Sequence, residues 1–375
     1  MKSRTPAEKA RRRRRRRWIA LGVCLVLVVP IVSYVRALLY PGNASFAVRT
    51  VEWVRDHGAG PVIDTIETWK YSRQAPPAGG QPQDIPTFAH GTYSERKASQ
   101  LPTIKRLPEA PPLPREGEWT PGRQGKNGRT LLWTSWFRPD SAHLPVTVAA
   151  ALMPQTADRV RLMPGTREPV VGMASRDGYS VPAKDRKSLV ATFNGGFKMS
   201  DSHGGWWTTE SHAVPLVDGR ASVVIDKSGV VRIGAWNKTV RMGPEVVAVR
   251  QNLDPVIVGG KIVDGLTTNA NGRWGSVRSQ FQYTWRSGLG TDAKGNLIYI
   301  AGRGLTLGSL AAAMQQAGIQ EGMELDIHAA MVSFDIEYPQ ANGQITSRRL
   351  LDSMTSPPDR YLVDDQRDYF SVVAR

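Results

Sequence analysis

The chain has 375 residues, 41% of them hydrophobic and 22% charged. It is too apolar for a disordered tail and long enough for one large domain with accessory segments. Its net charge of +16 is unevenly spread: residues 1–17 hold ten basic side chains against Glu8, so most of the excess belongs to the N-terminus and no nucleic-acid partner is expected. The single cysteine, Cys24, excludes an intramolecular disulfide framework and any multi-cysteine zinc or iron–sulfur site.

Arg11 to Arg17 form a basic cytoplasmic segment, 1–17, ahead of WIALGVCLVLVVPIVSYV, residues 18–35, which carries no charge. Eighteen helical residues reach about 27 Å, close to the hydrocarbon thickness of a bilayer. Residues 18–40 are therefore expected to be a transmembrane signal-anchor, with Pro30 tolerated inside it. The arginine run places the N-terminus in the cytoplasm and the rest of the chain outside. A cleaved signal peptide is the competing expectation, with Ala44-Ser45-Phe46-Ala47 a poor cleavage site. Val51 and Val54, then Val62, Ile66 and Trp69, have helical spacing on either side of Gly58-Ala59-Gly60-Pro61, so 41–74 predicts two short juxtamembrane helices. Ten prolines between 75 and 122 predict an extended linker over 75–129.

From 130 to 375 short apolar runs alternate with turn signals, which predicts an extracytoplasmic, strand-rich α+β domain with few helices and a mixed sheet. Strands are expected at 131–137, 146–153, 188–193, 221–226, 230–236, 255–260, 297–302 and 323–327. Leu307, Leu310, Ala311 and Met314 follow Thr306, a natural N-cap, and precede Gly318, so one helix is expected here. With its flanking strands it makes a β-α-β unit.

Three constellations carry candidate chemistry. Asn194-Gly195-Gly196 follows a strand; the glycines permit close backbone approach and the amide suits a sugar hydroxyl or acetamido group, although an ordinary Asn-Gly turn fits the spacing equally. Arg286, before Gly288, Gly290 and Asp292, could clamp a phosphate or, more simply, sit in an ion pair. Asp326 and His328 lie at the carboxyl end of the last strand of the β-α-β unit, where ligands bind, and two-residue spacing puts them on one face. In a Gly/Trp-rich loop, Trp206 and Trp207 could stack on sugar faces or belong to the core, and His203, with Asp201 and His212, is a weaker candidate. No metal-ligand spacing is present, and neither a metal nor another cofactor is expected.

FNGGF at 193–197, PVIVGGKIVDG at 255–265, RSGLGTDAKGNLIYIAGRGLTLGSLAAAMQQAG at 286–318 and MELDIH at 323–328 together resemble the phosphodiester glycosidase family. Together with the anchor expected at 18–40, the resemblance implies a membrane-anchored extracytoplasmic hydrolase that cleaves a sugar-1-phosphodiester bond in a cell-envelope glycan or exopolysaccharide. By this resemblance Asp326 and Arg286 would be catalytic and Asn194, Gly195 and Gly196 would bind substrate; from their own positions in the chain, His328 is added as a catalytic candidate and Trp206 and His203 as substrate-binding candidates. The family's Leu-Asp-Gly-Gly-Gly-Ser reads Leu325-Asp326-Ile327-His328-Ala329-Ala330 here, which keeps the carboxylate and replaces the glycines. A silent envelope protein that binds anionic glycopolymers, and a membrane scaffold using the Pro-rich segment, are the alternative expectations.

Overall fold

The computed structural model describes residues 6–40, 44–82, 84–86, 101–269, 271–275 and 282–375. The chain divides into two compact units, Met1–Thr65 and Ile66–Arg375. In the first, helix α1 (Pro6–Leu38) carries the arginine run and the apolar stretch in one continuous element with Pro30 inside it. Among the described residues no helix is long and apolar enough to cross a membrane, so a helix stands where the span was expected but the span itself is not supported. The side chain of Cys24 lies outside the described residues. Helix α2 (Phe46–Val54) is capped by Ser45 and packs on α1, with Trp53 Nε1 donating to Ser33 Oγ at 3.0 Å and the Tyr34 and Trp53 rings edge to face. Gly58, at φ +86°, turns the chain into helix α3 (Gly60–Ser72).

The second unit is strand-rich α+β. Its strands are β1 (Thr120–Gln124), β2 (Thr130–Phe137), β3 (Val148–Met153), β4 (Asp158–Met163), β5 (Leu189–Asn194), β6 (Trp206–Thr208), β7 (Ala221–Asp226), β8 (Val231–Ala235) and β9 (Val246–Gln251). There follow β10 (Ile257–Val258), β11 (Lys261–Ile262), β12 (Thr284–Asp292), β13 (Leu297–Leu305), β14 (Ile319–Ile327), β15 (Phe334–Pro339), β16 (Ile345–Arg349) and β17 (Tyr369–Ala374). Short helices α4 (Ala183–Arg186) and α5 (Met199–Ser202) and the longer α6 (Leu307–Gln316) complete it. The first sheet has the order β1-β2-β3-β13-β12-β14-β10-β11, the second β16-β15-β5-β17-β4 and the third β6-β9-β7-β8.

The first sheet is buried on both faces, which is why its central strands read as unbroken apolar runs. In β13, Leu297, Tyr299 and Ala301 enter the core shared with the other two sheets, while Ile298 and Ile300 enter a second core beneath α6. Leu307, Leu310, Ala311 and Met314 bring the apolar stripe of α6 into that second core. Thr306 caps the helix in a reciprocal box with Ser309, each side-chain oxygen accepting the other residue's backbone N–H at 3.1 and 2.9 Å.

Two expectations are corrected. β13 and β14 are not hydrogen-bonded to each other: β12 lies between them, antiparallel to both, so the expected β-α-β unit is split and the named strands pair only antiparallel. Nor is 101–129 a free linker. Ile104 and Trp119 are buried in the second core, Lys105 N donates to Gln316 O at 3.0 Å, and residues 120–124 form the edge strand β1. Prolines lack donors, but a segment lying on a domain surface needs few, and apolar side chains between the prolines supply the contact. The part of that linker at 87–100 lies outside the described residues.

Candidate functional site

The end of β14 is where regular strand geometry breaks. Between the β12 residues Arg286 and Gly288, two positions apart, β14 advances three, from Glu324 to Ile327. The extra residue is a β-bulge, a device that re-aims a side chain. Glu324 pairs with Arg286 at 2.6 Å, whereas Asp326, two residues on, pairs with Arg367 Nη2 at 3.1 Å instead of following Glu324. Asn252 Nδ2 donates to the carbonyls of Glu324 and Leu325, both at 2.7 Å, and so holds the bulged backbone.

Asp326 is 5% exposed. Burial pushes its carboxyl up to about 7, against the opposing pull of Arg367, the Ile327 N–H and Arg250. Arg367 Nη2 also donates to Gly196 O at 2.7 Å, which ties the Asn-Gly-Gly turn to the carboxylate. The turn itself is packed against a second ion pair, Arg250 Nε to Asp368 Oδ2 at 3.0 Å, both side chains fully buried. A Cβ on Gly195 would lie 2.7 Å from Asp368 Oδ2, and one on Gly196, whose φ is +139°, would lie 2.8 Å from Arg250 Nη1 and Asn252 Nδ2. Glycine is thus required twice, by contact and by backbone angle.

Asn194 and Asp326 are joined through Ser287. Its Oγ accepts from Asn194 Nδ2 at 3.2 Å and donates to the Asp326 carbonyl at 3.1 Å. Asn194 Oδ1 accepts from Tyr299 Oη at 3.0 Å and from Ser333 N at 3.2 Å. The amide of Asn194 is therefore spent on internal partners, and it braces the turn rather than presenting itself to a ligand.

The other expected residues go elsewhere. Arg286 is 1% exposed; besides Glu324, its Nε donates to Leu305 O at 3.0 Å, so its guanidinium is not open to an anion. His328 follows the last residue of β14 at φ +75°, which ends the alternation that would have set it beside Asp326. Its ring stacks on Tyr71, with Nε2 3.4 Å from Glu67 Oε2 and Nδ1 3.3 Å from Thr284 Oγ1. Trp206 is buried in the main core at 1% exposure and offers no free face for stacking. His203 is exposed and closes α5 in the left-handed conformation. Among the described residues no three His, Cys, Asp or Glu side chains are grouped to hold a metal.

Sequence reasoning missed Arg367, Asp368, Arg250 and Glu168. The loop carrying Glu168 is stitched to the segment before β17 by Thr166 N to Asp365 O, at 2.8 Å, and Glu168 N to Gln366 O, at 3.0 Å. Glu168 Oε2 accepts from Met199 N at 3.1 Å; burial raises its pKa, with Arg367 opposing and Asp368 reinforcing the shift. Asp326 and Glu168 are therefore both subject to the charge of Arg367. The available signal was the charged Asp364-Asp365-Gln366-Arg367-Asp368 immediately before the apolar run Tyr369–Ala374.

Residues 187–350 match the phosphodiester glycosidase family. No curated protein matches the chain by sequence. Among solved structures, the catalytic domain of zebrafish N-acetylglucosamine-1-phosphodiester alpha-N-acetylglucosaminidase, auto-inhibited by its pro-peptide, is similar at 17% identity and a TM-score of 0.41, over 69% of this chain and 88% of that one. A hypothetical protein from Synechocystis is similar at 14% identity and a TM-score of 0.41, over 71% of this chain and 64% of that one.

Proposed function

Starting from a phosphodiester glycosidase domain at residues 187–350, we propose that the chain hydrolyses the bond between an anomeric carbon and a phosphodiester oxygen in a cell-envelope glycan. The observation that supports this most directly is the buried Asp326 carboxyl, held near pH 7 and braced by Arg367 against the Asn-Gly-Gly turn. A phosphodiester leaves readily, so the reaction needs a carboxylate near the oxocarbenium-like centre and a cation near the departing oxygen more than it needs a strong acid. Asp326 serves as base for water or as nucleophile. Arg367 stabilises charge on the leaving phosphate, and Glu168 is the second carboxylate within the field of the same guanidinium. Asn194 acts through Ser287 as a positioning residue.

The proposal includes membrane attachment through residues 18–35, supported by their eighteen uncharged positions behind seven arginines. Protease protection of the N-terminus in sealed vesicles tests it. For the activity, the full chain is assayed on a synthetic sugar-1-phosphodiester; release of free sugar by the wild type but not by Asp326→Asn is expected. Equal release by both would remove Asp326 from the mechanism.

A second reading, binding of an anionic glycopolymer without turnover, draws on His328. This histidine keeps a left-handed conformation at a position where the family pattern has glycine, and its ring fills space against Tyr71 and Thr284. Polymer binding by calorimetry together with no free sugar would favour it.

A further inference from the structure

Apart from the charged cluster around Asp326, the structure contains a cleft of about 160 Å³ between β4, the third sheet and the loop after β4. Ligand pockets usually run to roughly 300–1,000 Å³, so this one has room for a single ring. Its apolar lining includes Leu162, Met163, Met173, Ile225 and Ala248. Two donors in its lining lack good acceptors. The indole N–H of Trp206 is buried without a partner, and Ser211 Oγ has only the Met173 thioether at 3.4 Å, a weak acceptor. A buried donor left unsatisfied is costly, and such groups in a folded protein ask for an explanation.

The charge of the cleft decides what kind of ligand answers them. Asp177 and the exposed Glu210 are lining residues, and the Arg161 guanidinium is committed to Asp177 and Asp185. Among the described lining residues no cation is left over for an anion, which favours a neutral ligand. It needs acceptor oxygens for Trp206 and Ser211, hydroxyls for the carboxylate of Glu210, and an apolar face for the methionines. We infer that the cleft is a subsite for one neutral pyranose unit of the glycan, separate from the phosphate. It adjoins the charged cluster: Met163 and Met173, at the two ends of the segment that carries Glu168, line the cleft, and Trp206 lies opposite Arg250 in the pairing of β6 with β9. As a glycan subsite the inference rests on the proposed activity, but its test is a binding measurement.

The full chain, in a zwitterionic detergent free of sugar, is probed by saturation-transfer NMR with the methyl glycosides of glucose, galactose, mannose and N-acetylglucosamine, each with and without inorganic phosphate. At least one pyranoside should receive saturation, unaffected by phosphate. Ser211→Trp, which fills the mouth from a half-buried position, should abolish it, and Ser211→Ala or Trp206→Phe should weaken it roughly tenfold, the worth of one hydrogen bond to a buried donor. Should Trp206→Phe fail to fold, the two Ser211 variants decide alone. Silence from all four pyranosides, displacement by phosphate, or unchanged transfer in Ser211→Trp would overturn the inference. Pyranoside binding lost in Ser211→Trp alongside an inactive wild type would leave the subsite standing and remove the hydrolase; turnover without pyranoside binding would do the reverse.

Discussion

Arg367 Nη2 sits 3.1 Å from Asp326 Oδ2 and 2.7 Å from the Gly196 carbonyl, so one guanidinium fixes both the carboxylate and the turn that faces it. Because Asp326 carries a pKa raised by burial and lowered by Arg367, removing the arginine must raise it further. If the ionised carboxylate is the working form, the wild-type rate rises with pH through about 7. Arg367→Ala should move that limb to higher pH and lower kcat about 10²–10³-fold, typical of a lost charge-stabilising donor. A pH–rate profile of the variant that superimposes on the wild type would contradict the assignment.

Arg286 and Glu324 form a buried ion pair, each side chain about 1% exposed. Arg286→Ala leaves Glu324 buried and alone, at a cost of about 3–5 kcal/mol in urea-denaturation measurements. The double variant Arg286→Met, Glu324→Leu should regain most of it. The catalytic rate of the double variant, per folded molecule, should stay near wild type. A large loss of kcat there would restore Arg286 to the chemistry.

The two glycines should fail by different routes. Gly195→Ala drives a Cβ onto Asp368, an overpacking cost of about 1–3 kcal/mol. Gly196→Ala adds the unfavourable positive φ to its clash with Arg250 and Asn252, so it should lower the melting temperature more. Thermal melts of the two single variants compare them directly; equal shifts would mean that the turn has relaxed its backbone.

Asp158 is 2% exposed, with both carboxylate oxygens unpartnered, and burial pushes its pKa up to about 8 despite Arg129 and Arg375. A carboxyl raised in the folded state stabilises the protein fully below its unfolded value, and that contribution is lost as pH rises through the folded one. Stability should therefore fall between about pH 4 and pH 8 on this account, and Asp158→Asn should flatten the slope. Melting temperatures at pH 6 and pH 9 measure it; a slope unchanged in the variant would assign the dependence to other groups.

Much of the framework was legible in the chain. LIYIA and SLVATF read as strands because they are buried on both faces, and Thr306 with its apolar stripe marked α6 within two residues. What escaped notice obeys tertiary logic. β12, with Arg286, Gly288 and Gly290, is missing from the expected strands because its apolar content is low; it is a central strand whose glycines make room for Met314 and Ile319. Arg367 lies just before β17 of the second sheet and Asp326 lies on β14 in the first, so the arginine that reaches Asp326 could not be found by spacing. His328 was misplaced because periodicity assumes that a strand continues, and a left-handed residue ends it. The Pro-rich segment was misjudged because composition reports flexibility and says nothing of a receptive surface nearby.

The bulge at the end of β14 also bears on how this sequence can change. Strict alternation would have sent both acidic groups of Glu324-Leu325-Asp326 to one face of the sheet; one inserted residue gives them separate employments, one with Arg286 and one with Arg367. Substitutions around Glu324 and around Asp326 can consequently act with little cross-talk although the two positions are neighbours in the chain, provided that the register of this short stretch is preserved.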